Sequence, residues 1–80
     1  MEKTLDTLVR TIHCRKTLAK FIKPYLDKST NMYFRLFFNY LKNEDTYSTL
    51  FALLVKRIAR ECESDELVKL AITTMIKKYM

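Results

Sequence analysis

His13, Cys14 and Cys62 are the side chains best suited to nucleophilic or metal chemistry, and their spacing limits what they can do. Neighbouring residues on a helix point about 100° apart, so His13 cannot act as the base for Cys14. A His13–Cys62 pair would have to be assembled by folding, and no orienting acid, oxyanion loop or turn accompanies it. The simpler reading puts His13 on a polar face beside Lys16. One histidine and two cysteines without close spacing also leave a zinc site one ligand short. The acidic pairs Glu44/Asp45 and Asp65/Glu66 are adjacent in sequence and read as helix-capping charges rather than as an acid and a base. The chain therefore reads as a non-enzyme, with no catalytic residue, metal, cofactor or small-molecule substrate expected.

Backbone chemistry points the same way. Glycine is absent, where an average chain of this length would hold about five or six. Phosphate-cradling loops, nucleophile elbows and tight hairpins all use glycine for positive φ, so mononucleotide-binding folds are disfavoured.

Two features point to binding. The first is the net charge of +6, which attracts polyanions through steering and counterion release. Lys16, Lys20 and Lys23 share one helical face with His13, and Lys56, Arg57 and Arg60 form a second cluster, so these six cations are the candidates for phosphate contact. The plainer account is a solvated face that keeps a small protein soluble. No helix-turn-helix glycine, RNP motif or zinc knuckle supports sequence-specific readout.

The second is surplus apolar surface. Phe34, Phe38 and Leu41 lie beside a stripe formed by Tyr33, Phe37 and Tyr40, and only Arg35, Asn39 and Lys42 remain as a polar strip. A surface helix needs roughly 100° of apolar face, and here the arc covers more than half the cylinder. Leu53, Leu67 and Leu70 also sit outside the main stripes of their helices. Phe34, Phe38, Leu41, Leu53, Leu67 and Leu70 are thus the interface candidates, although a small bundle also buries more than one face of a helix. The leading expectation is a helical adaptor or regulatory protein that binds another protein or a second copy of itself. A partner helix in a groove between the second and third helices, or a symmetric dimer, would cover the excess. The alternative is a basic nucleic-acid-binding module.

The elements that position these residues read as helices throughout. Leu5, Leu8, Val9 and Ile12 recur at i, i+3, i+4, i+7, starting a helix near residue 3. Leu18, Phe21, Ile22 and Tyr25 continue on another side of the cylinder, which predicts a bend or break near Arg15–Thr17 and a turn at about Pro24. Asp27–Thr30 reads as a loop. Thr30 or Asn31 caps a helix over about 31–42, and Asp45 caps a third carrying Tyr47, Leu50, Phe51, Leu54, Val55, Ile58 and Cys62. Ser64 caps a fourth, with Val68, Ala71, Ile72, Met75, Ile76 and Tyr79 on one face and Lys77 and Lys78 at its carbonyl end. The expected fold class is all-α, a small bundle of four to five helices with short connections, forming a single domain over residues 1–80.

At 49% hydrophobic and 30% charged residues, the composition is that of a folded, water-facing chain. The longest apolar run, Leu50–Val55, is six residues, against ~20 for a membrane span. Met1–Arg10 holds no apolar stretch of the kind a cleaved leader needs, so an intracellular, reducing location, cytoplasmic or nuclear, with free thiols is expected. A domain this small hides little more than about 60% of its unfolded surface, which makes dimerisation or a bound partner a natural source of further burial.

Overall fold

A computed structural model describes residues 1–11, 15–43 and 47–80. Among them it contains five helices and no strand: α1 Glu2–Thr11, α2 Arg15–Leu26, α3 Met32–Asn43, α4 Thr49–Glu61 and α5 Glu66–Tyr79. The all-α class and the helix number agree with the sequence. Ile12, His13, Cys14, Glu44, Asp45 and Thr46 lie outside the described residues, and with them the expected roles of His13, of Cys14 and of Asp45 as a cap.

Several boundaries differ from expectation. Arg15–Thr17, where a bend or break is expected, are instead the first turn of α2, and Arg15 joins Leu18, Ala19, Ile22 and Leu26 on its buried face. Pro24 does not turn the chain; α2 runs through it to Leu26. The missing proline N–H removes one bond to a carbonyl on an exposed face near the helix end, where water can replace it. The last turn is carried past it by the Asp27 N–H donating to the Lys23 carbonyl at 3.1 Å, and by a 2.8 Å Lys23–Asp27 ion pair.

Caps set the remaining helix starts. Asn31 Oδ1 accepts from the N–H groups of Tyr33 and Phe34 at 2.9 and 3.1 Å, and Ser48 Oγ accepts from the Phe51 N–H at 3.1 Å. Asp65, rather than Ser64, caps α5: its Oδ1 accepts from Leu67 and Val68. Asp65 has the extended backbone a cap requires, while the Ser64 N–H is spent on the Glu61 carbonyl in the turn that leaves α4.

The helices close into a ring in the order α1, α4, α3, α2, α5, each packed on its two neighbours, with α4 also touching α5. Phe51 is the hub of the core. Its ring stacks on Phe37 and Tyr40 with centroids 5.8 and 6.0 Å away, meets Tyr47 at 5.3 Å, and carries the Arg15 guanidinium 4.7 Å above it. Leu5, Leu8, Leu18, Ile22, Ile58 and Ile72 complete the interior and are fully buried.

The accessible surface is 5137 Å², close to the roughly 5,100 Å² expected of a folded monomer of this mass. Its buried apolar residues form one cluster drawn from all five helices. No helix among the described residues is long and apolar enough to cross a membrane.

Candidate functional site

The arc of α3 is divided between two destinations. Phe34, Phe37, Phe38 and Leu41 point inward and are buried, whereas Tyr33 and Leu36 are exposed and Tyr40 is half-buried. Phe34, Phe38 and Leu41 are therefore core residues and not interface candidates, contrary to the expectation from sequence. Two overlapping patterns compete on this helix. The set 34, 37, 38 and 41 wins because it hides three phenylalanines and leaves the tyrosine hydroxyls near water.

On α4 the division is similar. Phe51, Val55, Ile58 and Cys62 face the core, so Leu50, expected on the inner stripe, is exposed along with Leu53. These leftovers meet. Tyr33, Leu36 and Tyr40 from α3 and Leu50, Leu53, Leu54 and Arg57 from α4 line a shallow, mainly apolar groove between the two helices. Its exposed walls are 40% (Tyr33), 41% (Leu36), 61% (Leu50) and 56% (Leu53) accessible, which makes it a continuous strip rather than scattered apolar atoms. Of the six interface candidates, only Leu53 belongs to it. Leu67 is half-buried and Leu70 exposed on α5, and neither lines the groove.

One end of the groove is built by polar contacts. The Arg57 guanidinium lies 4.1 Å over the Tyr33 ring, and its Nε donates to Glu61 Oε1 at 2.9 Å. Asn31 Nδ2 donates to the other Glu61 oxygen at 3.2 Å and to Asp65 Oδ2 at 3.0 Å. The start of α3, the end of α4 and the cap of α5 are thus held in one network, which fixes the width of the groove at that end.

The cationic candidates separate into two places. Lys16, Lys20 and Lys23 are exposed on α2, with the Nζ atoms of Lys23 and Lys42 at 5.9 and 5.3 Å from the Phe38 ring. Lys56 and Arg60 are exposed on α4, and Arg57 is half-buried in its ion pair. Helix α3 lies between α2 and α4 in the ring, so the structure does not merge the two clusters into one basic surface.

Two further groups are held in place, and the first is shut away from solvent. Burial pushes the Cys62 thiol up to about 11, so it is protonated at neutral pH, and it is free of any disulfide. Near α1, the Tyr47 hydroxyl donates to Asp6, whose carboxylate also holds Arg10 Nε at 3.0 Å, and the Arg10 guanidinium covers the Tyr47 ring at 4.0 Å. This cluster ties the lead-in of α4 to α1. Among the described residues no group of three or more His, Cys, Asp or Glu side chains is placed to hold a metal ion. Comparison with known protein families, with curated proteins and with solved structures gives no match for this chain.

Proposed function

We propose that this chain is a non-enzymatic helical adaptor that receives a helical segment of another protein in the groove between α3 and α4. The observation that carries the reading is the contiguity of Tyr33, Leu36, Leu50 and Leu53 on the outside of a chain whose core is already closed. Two antiparallel or crossing helices present a channel that accepts an amphipathic helix through residues at i, i+3, i+4 and i+7. Leucines and tyrosines flanked by arginine are also the side chains from which binding hot spots are made.

A displayed library of amphipathic helices, selected in parallel on the wild-type protein and on a Leu36→Glu/Leu53→Glu variant, tests this. Enrichment on the wild type alone supports the reading. Equal enrichment on both proteins, or none on either, removes it, and light scattering that shows a wild-type dimer made monomeric by the double substitution would reassign the groove to self-association.

A second reading is phosphate contact, favoured by the exposure of Lys16, Lys20 and Lys23 on one face of α2 with Lys42 beside it on α3. Titration with duplex and single-stranded oligonucleotides at two salt concentrations tests it, since several phosphate contacts require a steep salt slope.

A further inference from the structure

The two rims of the groove differ in charge, and the difference bears on what can lie there. On α3 the outer rim is Met32, Asn39 and Asn43, all exposed and uncharged, and the exposed Arg35 in the same row donates back to the Ser29 carbonyl at 3.2 Å. On α4, Leu53 is followed by Lys56, Arg57 and Arg60 at i+3, i+4 and i+7, so the apolar strip runs directly into a cationic ridge over the next two turns. Lys56 sits furthest round, toward α1, where it shares a cleft with Glu2, Ala59, Arg60 and Glu63. Among the described residues neither Lys56 nor Arg60 is in an ion pair.

Glu61, the one carboxylate on the groove side of α4, is already held by Arg57 and Asn31. A second copy of the chain would bring +6 against +6, and among the described residues the groove lining holds no carboxylate. Four partly exposed side chains also supply only a few hundred Å², less than the roughly 800 Å² per partner of a standard stable interface between globular proteins. A single helix can use such a narrow strip, and the cationic rim selects its charge.

Resting on the docking reading above, we propose that the natural occupant is an acidic amphipathic helix. Its apolar residues enter between Leu36 and Leu53, and its Asp and Glu side chains lie along the α4 rim against Arg57, Arg60 and Lys56. Apolar anchors would supply most of the affinity, and the rim charges would set selectivity and association rate.

The test uses the helices enriched on the wild-type protein, synthesised and titrated by fluorescence anisotropy against wild type, Leu53→Glu, Arg60→Glu and Lys56→Glu. The expected result is an excess of Asp and Glu beside leucine or phenylalanine anchors. Binding should weaken roughly fivefold for Arg60→Glu, fall as salt rises, and be lost for Leu53→Glu. Circular dichroism of the exposed-site variants checks that each remains folded. Neutral or basic helices bound through Leu53 would overturn the acidic partner while leaving the groove as a docking site. Acidic helices bound equally well by Leu53→Glu would be adsorbing to charge alone and would overturn both, as would an oligonucleotide that occupies Arg60 and Lys56 and excludes the helices.

Discussion

The guanidinium of Arg57 rests 4.1 Å over the ring of Tyr33 while it holds Glu61 at 2.9 Å, so one side chain of α4 both covers α3 and anchors its own last turn. A cation over a tyrosine face at an accessible site contributes about 0.5–1 kcal/mol, and the i,i+4 ion pair a few tenths more. A double-mutant cycle with Tyr33→Leu and Arg57→Met should therefore give a coupling of about 0.5–1 kcal/mol in urea denaturation. A coupling indistinguishable from zero would mean that the groove end is set by the Asn31 network alone.

The division of α3 and α4 into inner and outer apolar faces predicts two unlike responses to substitution. Leu53→Glu and Leu50→Lys alter side chains that are more than half exposed, so each should change stability by no more than about 0.5 kcal/mol. Phe34→Ala opens a cavity in a fully buried position and should cost about 3–5 kcal/mol. In so small a domain that loss is a large share of the total stability. Thermal melts that gave Leu53→Glu the larger effect would place the leucine strip inside the core.

Asn31 carries more than a cap. Its Oδ1 serves the first turn of α3, and its Nδ2 bridges Glu61 and Asp65. Removing a cap of this kind costs about 0.5–2 kcal/mol, and the two lost carboxylate bonds add to it, so Asn31→Ala should destabilise by about 2–3 kcal/mol. Asn31→Asp keeps an oxygen for the cap but adds a third carboxylate to the cluster. It should remain destabilised at low ionic strength and recover part of the loss in salt. Full recovery by Asn31→Asp without salt would show that the bridge contributes nothing.

How far these features can be read without coordinates depends on the physics behind each. Helix number and type follow from spacing that tertiary contact only reinforces, as with Leu5, Leu8 and Val9 or with Val68, Ala71, Ile72 and Met75. Rotation about the helix axis is different. On α3 the sets starting at Tyr33 and at Phe34 both satisfy an i, i+3, i+7 pattern, and both send a ring to Phe51 of α4, Phe37 from the buried set and Tyr40 from the outer one, so the choice rests on packing against other helices. The bulk of three phenylalanines against two tyrosine hydroxyls was the available signal for Phe34, Phe38 and Leu41 being inside. That Leu50 and Leu53 face Leu36 across a groove depends on the ring order of the helices, which no local pattern encodes. Pro24 inside α2 is likewise a tertiary outcome, since local preference would end the helix there.

The alkaline limit of stability should be set in part by two groups that the fold keeps protonated. The Cys62 thiol is raised from its ordinary 9.0 to about 11, chiefly by burial and then by Asp65. Tyr47 is raised above 10 by burial and by its hydrogen bond to Asp6. In both cases the folded state favours the neutral form, so their contribution is complete below the unfolded pKa and is lost as pH climbs through the folded one. For Cys62 the window opens near pH 9 and closes near 11, with a loss of roughly 3 kcal/mol. Urea midpoints measured at pH 7.5, 9, 10 and 10.5 in the absence of oxygen should fall less steeply for Cys62→Ala than for the wild type. Tyr47→Phe, lower throughout for want of the Asp6 hydrogen bond, should run parallel to the wild type until about pH 10 and depart from that only above it, because the Tyr47 hydroxyl is the second group to ionise. If the Cys62→Ala curve ran parallel to the wild type throughout, the thiol would have to ionise without unfolding, and the packing of α4 against α5 around it would have to be open to water.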